Sequence, residues 1–440
     1  MTHPPGASGG AHPLVPVSAL LGGALALAFG AAWLLADPGA LAGYLGSPRA
    51  VALTHLFTLL HVTLVYAGTL QQLPAVLLVA DLAWKRLGYV ALPLLVAGGA
   101  LLVHGFASGF RAVPLALGGA AATAALALVA AQTVRTAVAR PPRDPASRGL
   151  VAAACYLALT MALGTLLAGA RGSPAVARAL GYAPELHQTA GLVGAFLLGI
   201  AAAGHKLLAM FALAKGGSAW RVTAVTWLVH GSFAATLAGA ASWLLGGPTG
   251  AERSAGTVAT LCVCAAGALQ VVEVAALLRR RLRRRLEAPV ARYVLAHAFL
   301  PLAGLLLAAG LRQAAVVAAL LGFVGLAVSG MLVKILSFLA WTTAFGGGAG
   351  RSGPAPLLRD LTRPWLEPAI TAGLGLGALA ATAAVAAQAA SSPAAAAPLA
   401  TLAAASLCVG AGAQLWQAAT VAWRSLRAGA APRREVVTTK

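Results

Sequence analysis

Charge is what this chain has least of. Only 9% of its 440 residues are Asp, Glu, Lys or Arg, the acids number just 10, and 60% of the residues are hydrophobic. So few charges cannot cover the surface of a water-soluble globule of this length, which excludes that class. Cysteine is scarce as well, with four residues: Cys155, Cys262, Cys264 and Cys408. All fall in apolar stretches, and Cys262 and Cys264, two apart, point away from each other on a helix, so a shared disulfide or metal is not expected. No Walker motif, zinc-protease motif, CxxC, CxxCH or nucleophile elbow occurs, leaving ATP-driven transport and covalent hydrolysis without support. A cleavable signal is not expected either, because no positively charged region precedes the first apolar segment.

What the chain does have is apolar length. Twelve stretches approach or exceed the roughly 20 helical residues that cross a bilayer core. They run over 14–36, 50–80, 88–109, 112–138, 149–169, 188–214, 222–246, 255–279, 289–311, 313–345, 366–389 and 399–426. Leu, Val, Phe and Trp suit the lipid face, while abundant Gly and Ala let helices approach closely, so a helical bundle is expected. The net charge of +21 would suit nucleic acid, but its placement points to a membrane surface instead. If the N-terminus is cytoplasmic, only six of the 31 Lys and Arg fall in outside loops: Arg49, Arg111, Arg171, Arg178, Arg253 and Arg312. That bias puts both termini in the cytoplasm. The densest run, Arg279 to Arg285, marks a helix end beside anionic lipid, and no nucleic-acid partner is expected.

One segment occurs three times, as VYAGTLQQLPAVLL at 65–78, LGIAAAGHKLLAMF at 198–211 and AVSGMLVKILSFLA at 327–340. Aligned, it pairs Gly68 with Gln72, Ala202 with Lys206 and Gly330 with Lys334, at offsets of 206 − 72 = 134 and 334 − 206 = 128. A second register, Gln132, Gln270 and Gln414, closes the fourth, eighth and twelfth stretches. Together they predict three parallel four-helix repeats over 14–145, 146–288 and 289–428, flanked by a disordered tail at 1–13 and a basic tail at 429–440.

Twelve helices in three parallel sets of four resemble the catalytic subunit I of haem–copper oxidases and the NnrS-type haem and copper membrane proteins. The run HLFTLLHVTLVYAGTLQQLPAVL at 55–77 and its third counterpart, LLGFVGLAVSGMLVKILSFLAWTTAF, carry the resemblance. It implies an all-α membrane fold in a bacterial cytoplasmic membrane and a haem or copper cofactor. It further implies a role in respiration or in nitric-oxide or metal stress, with other membrane respiratory subunits as partners. In that family His from the second, sixth, seventh and tenth helices hold the cofactors. Here the second helix offers His55 and His61 and the seventh His230, the sixth has His187 only at its outer lip, and the tenth has none. The missing tenth-helix His argues against a complete terminal oxidase, so the cofactor sites are expected to be degenerate.

Cofactor-binding candidates are therefore His55, His61, His104, His187 and His230, since ionisable groups within spans are commonly placed for function. The competing reading has each His bonded to a carbonyl or a neighbouring helix, with no cofactor at all. The chain would then be a multipass transporter, a channel or a structural partner of a respiratory complex. His61, Gly68 and Gln72 share one helical face, which suits either a pore or cofactor wall or close helix packing. Either Gln72, Lys206 and Lys334 form a ring around a threefold axis, or Gln72 ties the inner end of its helix to a neighbour while Lys206 and Lys334, near helix ends, snorkel to headgroups. Glu273, the one acid deep in a span, either relays protons or pairs with Arg279, Arg280 or a neighbouring helix.

Overall fold

The computed structural model describes residues 9–170, 181–248, 250–345 and 357–430, with 428–430 described as backbone alone. Among them the chain is helical, with one isolated bridge between Ala214 and Arg281. Twelve helices are long and apolar enough to cross a membrane. They are α1 (Leu14–Ala36), α2 (Pro48–Leu78), α3 (Gly88–Ala107), α4 (Ala112–Ala139), α5 (Pro145–Ala170), α6 (Ala183–Ala212), α7 (Ala219–Leu244), α8 (Ala251–Arg279), α9 (Ala288–Ala308), α10 (Arg312–Phe345), α11 (Pro364–Ala389) and α12 (Pro393–Arg427). Helices satisfy every backbone polar group internally, which is why apolar runs of this length adopt them in lipid.

Sequential neighbours pack against each other, and α1 closes the ring against α12. The start of α1 and the ends of α10 and α12 share one apolar cluster built on Leu20, Leu332, Leu336 and Val421. Both described chain ends therefore lie at the same end of the bundle. With α11, helices α2, α6 and α10 are the most buried. They meet inside the ring, α6 touching α10 and α2 touching α10. Small residues set the closest approaches. A Cβ at Gly373 of α11 would lie 2.5 Å from the backbone nitrogen of Gly410 of α12, and one at Gly98 of α3 would lie 2.6 Å from that of Ala122 of α4. Close backbone packing of this kind replaces the hydrophobic drive that lipid cannot supply.

The three inner helices share a defect. Each contains a π-helical stretch, at Leu56–Thr63 in α2, Thr189–Leu197 in α6 and Ala318–Gly325 in α10. Their starts are 189 − 56 = 133 and 318 − 189 = 129 residues apart. A π-stretch carries one residue more than the α-helical ladder accommodates and re-aims the side chains around it. Other breaks have proline causes. α2 interrupts at Gln71–Gln72, just ahead of Pro74, and α9 breaks at His297–Ala298, where Pro301 cannot bond back to the His297 carbonyl.

Residues 9–13, expected in a disordered tail, are instead tied down. Leu82 N–H donates to the Gly9 carbonyl, Ala11 N–H donates to the Gln71 carbonyl, and Gln72 Nε2 donates to the Ala11 carbonyl. Residues 1–8 and 431–440 lie outside the described residues.

Candidate functional site

A cavity of about 730 Å³ lies in the half of the bundle away from the chain ends. Its walls come from α1, α2, α3, α5, α6, α10 and α12, and most are aliphatic or aromatic. Residues of all three π-stretches line it, including Leu59, Gly191 and Leu320. Two imidazoles stand out against this apolar lining, His55 at the π-stretch boundary of α2 and His187 in the first turns of α6. Their ring centres are 6.3 Å apart and their planes differ by 24°.

Each ring is fixed through the same nitrogen. His55 Nδ1 lies 2.8 Å from the Val51 carbonyl, one turn back on its own helix. His187 Nδ1 lies 2.9 Å from the Thr160 carbonyl of α5. A carbonyl can only accept, so in the neutral ring Nδ1 carries the proton and Nε2 is the basic nitrogen. Phe106 of α3 packs on His55 with centres 4.5 Å apart. Gly164 makes room for His187, since a Cβ there would lie 2.9 Å from its Cε1. Arg312, at the start of α10, and Glu185, two residues before His187, bring opposite charges to the rim. One Glu185 carboxylate oxygen is buried without a hydrogen-bond partner.

The other sequence candidates lie elsewhere. Thr189, which matches His55 in the repeat register, turns to α7, with its hydroxyl 3.4 Å from that of Thr236. The imidazole reaching the cavity from α6 sits two residues earlier, where the register does not point. His61 is fully buried in the seam with α1, its Nδ1 2.9 Å from the Gly23 carbonyl and its Nε2 without a partner. Gly68 abuts Ala19 and Gln72 bonds Ala11, so the face these three share packs on α1 and the segment before it. His104 is exposed on α3. His230 pairs with the Tyr156 hydroxyl at 2.9 Å on the α5–α7 side.

Toward the chain-end side, polar residues pair off. Lys206 Nζ donates to Asp144 Oδ2 at 2.7 Å and to the Ser147 hydroxyl at 3.1 Å. Lys334 bonds Glu287 and sits over the Phe211 ring at 5.0 Å. Asp144 and Glu287 lie just outside the spans. Burial works against ionisation at both, but hydrogen bonds from Lys206 and Ser147 hold the Asp144 carboxyl below its ordinary range, and Lys334 and Arg283 do the same for Glu287. Glu273 pairs with the neighbouring helix rather than the arginine run. Its Oε2 is 2.5 Å from Arg221 Nε of α7, and its Oε1 is 2.9 Å from His205 Nδ1 of α6.

One buried pair was not singled out by the sequence. Arg292 of α9, 0% exposed, donates to Glu367 of α11 at 2.8 Å, and Gln417 of α12 donates to the other Glu367 oxygen at 2.8 Å. Both residues sit within a few positions of helix starts, so their sequence context looks like an ordinary basic or acidic helix end. Among the described residues no three or more His, Cys, Asp or Glu gather closely enough to hold a metal ion by themselves.

Among the described residues the fold is all-helical with twelve helices long and apolar enough to cross a membrane, the architecture of a multi-pass membrane protein. No protein-family model and no curated protein matches the chain.

Proposed function

We propose that this membrane protein binds one haem, which His55 and His187 would hold between them, on a plan like that of the haem–copper oxidase subunit. The observation that carries this reading is the 6.3 Å between the two imidazole centres. A metal–imidazole nitrogen bond is about 2 Å, so two imidazoles sharing one ion from opposite sides have centres about 6 Å apart. Protonation at Nδ1 makes the opposite nitrogen of each ring the basic one, the tautomer that outer hydrogen bonds impose on metal-binding histidines. An apolar space of about 730 Å³ suits a macrocycle, and Arg312 at the rim suits its carboxylates. Haem brings four nitrogens of its own, so two histidines complete it. Copper held by protein groups alone usually needs three ligands or more, which makes it the lesser reading.

When bound, such a haem supplies one-electron exchange, and protein ligation on both faces favours electron transfer over oxygen binding. The chain's own part is to hold the two rings, exclude water with apolar walls and place a cation at the rim. An electron-transfer role in respiration, or in nitric-oxide or metal stress, fits a chain lacking the tenth-helix His, with other membrane respiratory subunits as electron partners.

Repeated ties support the three-unit plan. Gln72, Lys206 and Lys334 each bond the segment just before the first helix of their own unit, at Ala11, Asp144 and Glu287. The second and fourth helices of each unit meet through Gln71 and Gln132, His205 and Glu273, and Ser329 and Gln414. The matching spacing of the π-stretches supports the same plan. The charge bias supports cytoplasmic termini in a bacterial inner membrane.

Haem and metal analysis of the purified protein tests the reading. About one haem and no copper per chain is expected, falling to background in His55→Ala and His187→Ala. Protein that neither retains haem nor takes it up when titrated contradicts the reading and leaves the cofactor-free transporter.

A further inference from the structure

A second cavity lies on the outer surface of the bundle, between the start of α7 and the end of α8. It measures about 410 Å³ and is lined by Arg221, Val272, Ala275, Ala276, Arg279 and Arg280. We propose that this groove binds an anionic phospholipid, with the phosphate held by the arginines and an acyl chain lying along α8. The inference stands apart from the haem reading.

Three features of the groove select that occupant. First, it has two chemically distinct ends. Arg279 and Arg280 close α8 and are exposed, while one to two turns back into the span the lining is Val272, Ala275 and Ala276. A soluble phosphate compound would use the first end only, whereas a diacyl phosphate ester needs both.

Second, its charge is not neutralised locally. Glu273, the one acid beside it, is 2% exposed and already engaged by Arg221 and His205. Arg221 lines the groove while its Nε is spent on Glu273, so the carboxylate fixes that guanidinium in place. Among the described residues no salt bridge engages Arg279 or Arg280, and the basic run continues through Arg285. Arginine is suited to phosphate because its planar fork presents paired donors.

Third, the small side chains of Ala275 and Ala276 are what open the groove beside exposed Val272 and Trp220. Trp220 also stacks under Arg221, with the guanidinium carbon 5.5 Å from the ring centre. A Trp beside arginines at a helix end marks the interfacial depth at which lipid phosphates lie.

Native mass spectrometry of the full chain, taken from nanodiscs of phosphatidylcholine with a minor fraction of phosphatidylglycerol, tests the proposal. The wild type is expected to retain one phosphatidylglycerol per chain. A hydrogen bond from a charged group contributes about tenfold or more in affinity, so the double variant Arg279→Gln/Arg280→Gln, which removes such contacts to the phosphate, should retain it at least about tenfold less well. Arg284→Gln/Arg285→Gln, which removes equal charge outside the groove, should stay within about twofold of the wild type. Ala276→Phe, which fills the apolar end and leaves all arginines, should also release the lipid. Equal losses from both arginine pairs would mean a diffuse electrostatic effect and overturn the site. Equal retention of phosphatidylcholine, or displacement by millimolar inorganic phosphate, would overturn the headgroup and acyl-chain assignments respectively.

Discussion

At the scale of single residues, the account rests on how two imidazoles are held. Gly164 is the most specific probe because it lies in the cavity wall and the nearest atoms an added Cβ would meet all belong to His187. Its replacement by Val puts atoms where His187 Cε1 now lies, 2.9 Å from the added Cβ. The expected result is a folded protein whose haem content falls at least tenfold, read by absorbance per chain after size-exclusion chromatography. Arg292 offers a stability test independent of any cofactor. Glu367→Ala leaves a guanidinium that is 0% exposed without its counter-charge. Breaking a buried pair this way costs about 3–5 kcal/mol, so the midpoint of thermal unfolding in detergent should drop clearly. Sequence reasoning grouped His55 and His187 by depth, together with His104, as one possible ligand set. It could not single out the pair, because the contact joins different helices and falls two residues out of the repeat register. The same limit hid Arg221 as the partner of Glu273, since the two are 52 positions apart.

At the scale of helices, the apolar runs and their prolines were legible, and the inner geometry was not. All twelve spans follow from hydropathy and length, with ends displaced by a few residues, as at α12, which begins at Pro393 rather than near 399. The π-stretches leave no mark on a 3.6-residue pattern, because one extra residue shifts the phase by less than the pattern's own scatter in an all-apolar run. Glycine-rich seams were legible as a tendency, but which glycines touch backbone was not. Gly373→Val tests the tightest of those discussed. Its Cβ would meet the Gly410 backbone nitrogen at 2.5 Å, and backbone cannot swing aside as a side chain can. Overpacking of this type costs about 1–3 kcal/mol, so the variant should unfold at lower temperature, while Gly375→Ala, which meets nothing within 4 Å, should not.

At the scale of the whole molecule, the ties just before α1, α5 and α9 differ in chemistry, and pH separates them. Asp144 and Glu287 have carboxyls held below their ordinary range by lysine partners. A depressed carboxyl contributes stability that is fully present above its unfolded value, about pH 4, and is lost as pH falls through the folded value. The unfolding midpoint should therefore be flat from about pH 5 to 8 as far as these two groups are concerned, and fall below about pH 4. Asp144→Asn together with Glu287→Gln should flatten that acid limb. The Gln72–Ala11 tie has no ionisable group and adds nothing to it.

The central claim is that two histidines from different helices share one haem. The most direct measurement is the reduced-minus-oxidised optical spectrum of the purified wild type beside His187→Ala. A Soret band with sharp visible bands of a six-coordinate haem in the wild type, lost or converted to a five-coordinate spectrum in the variant, is the predicted result. A flat difference spectrum after haem titration, or a six-coordinate spectrum that survives His187→Ala unchanged, would contradict it.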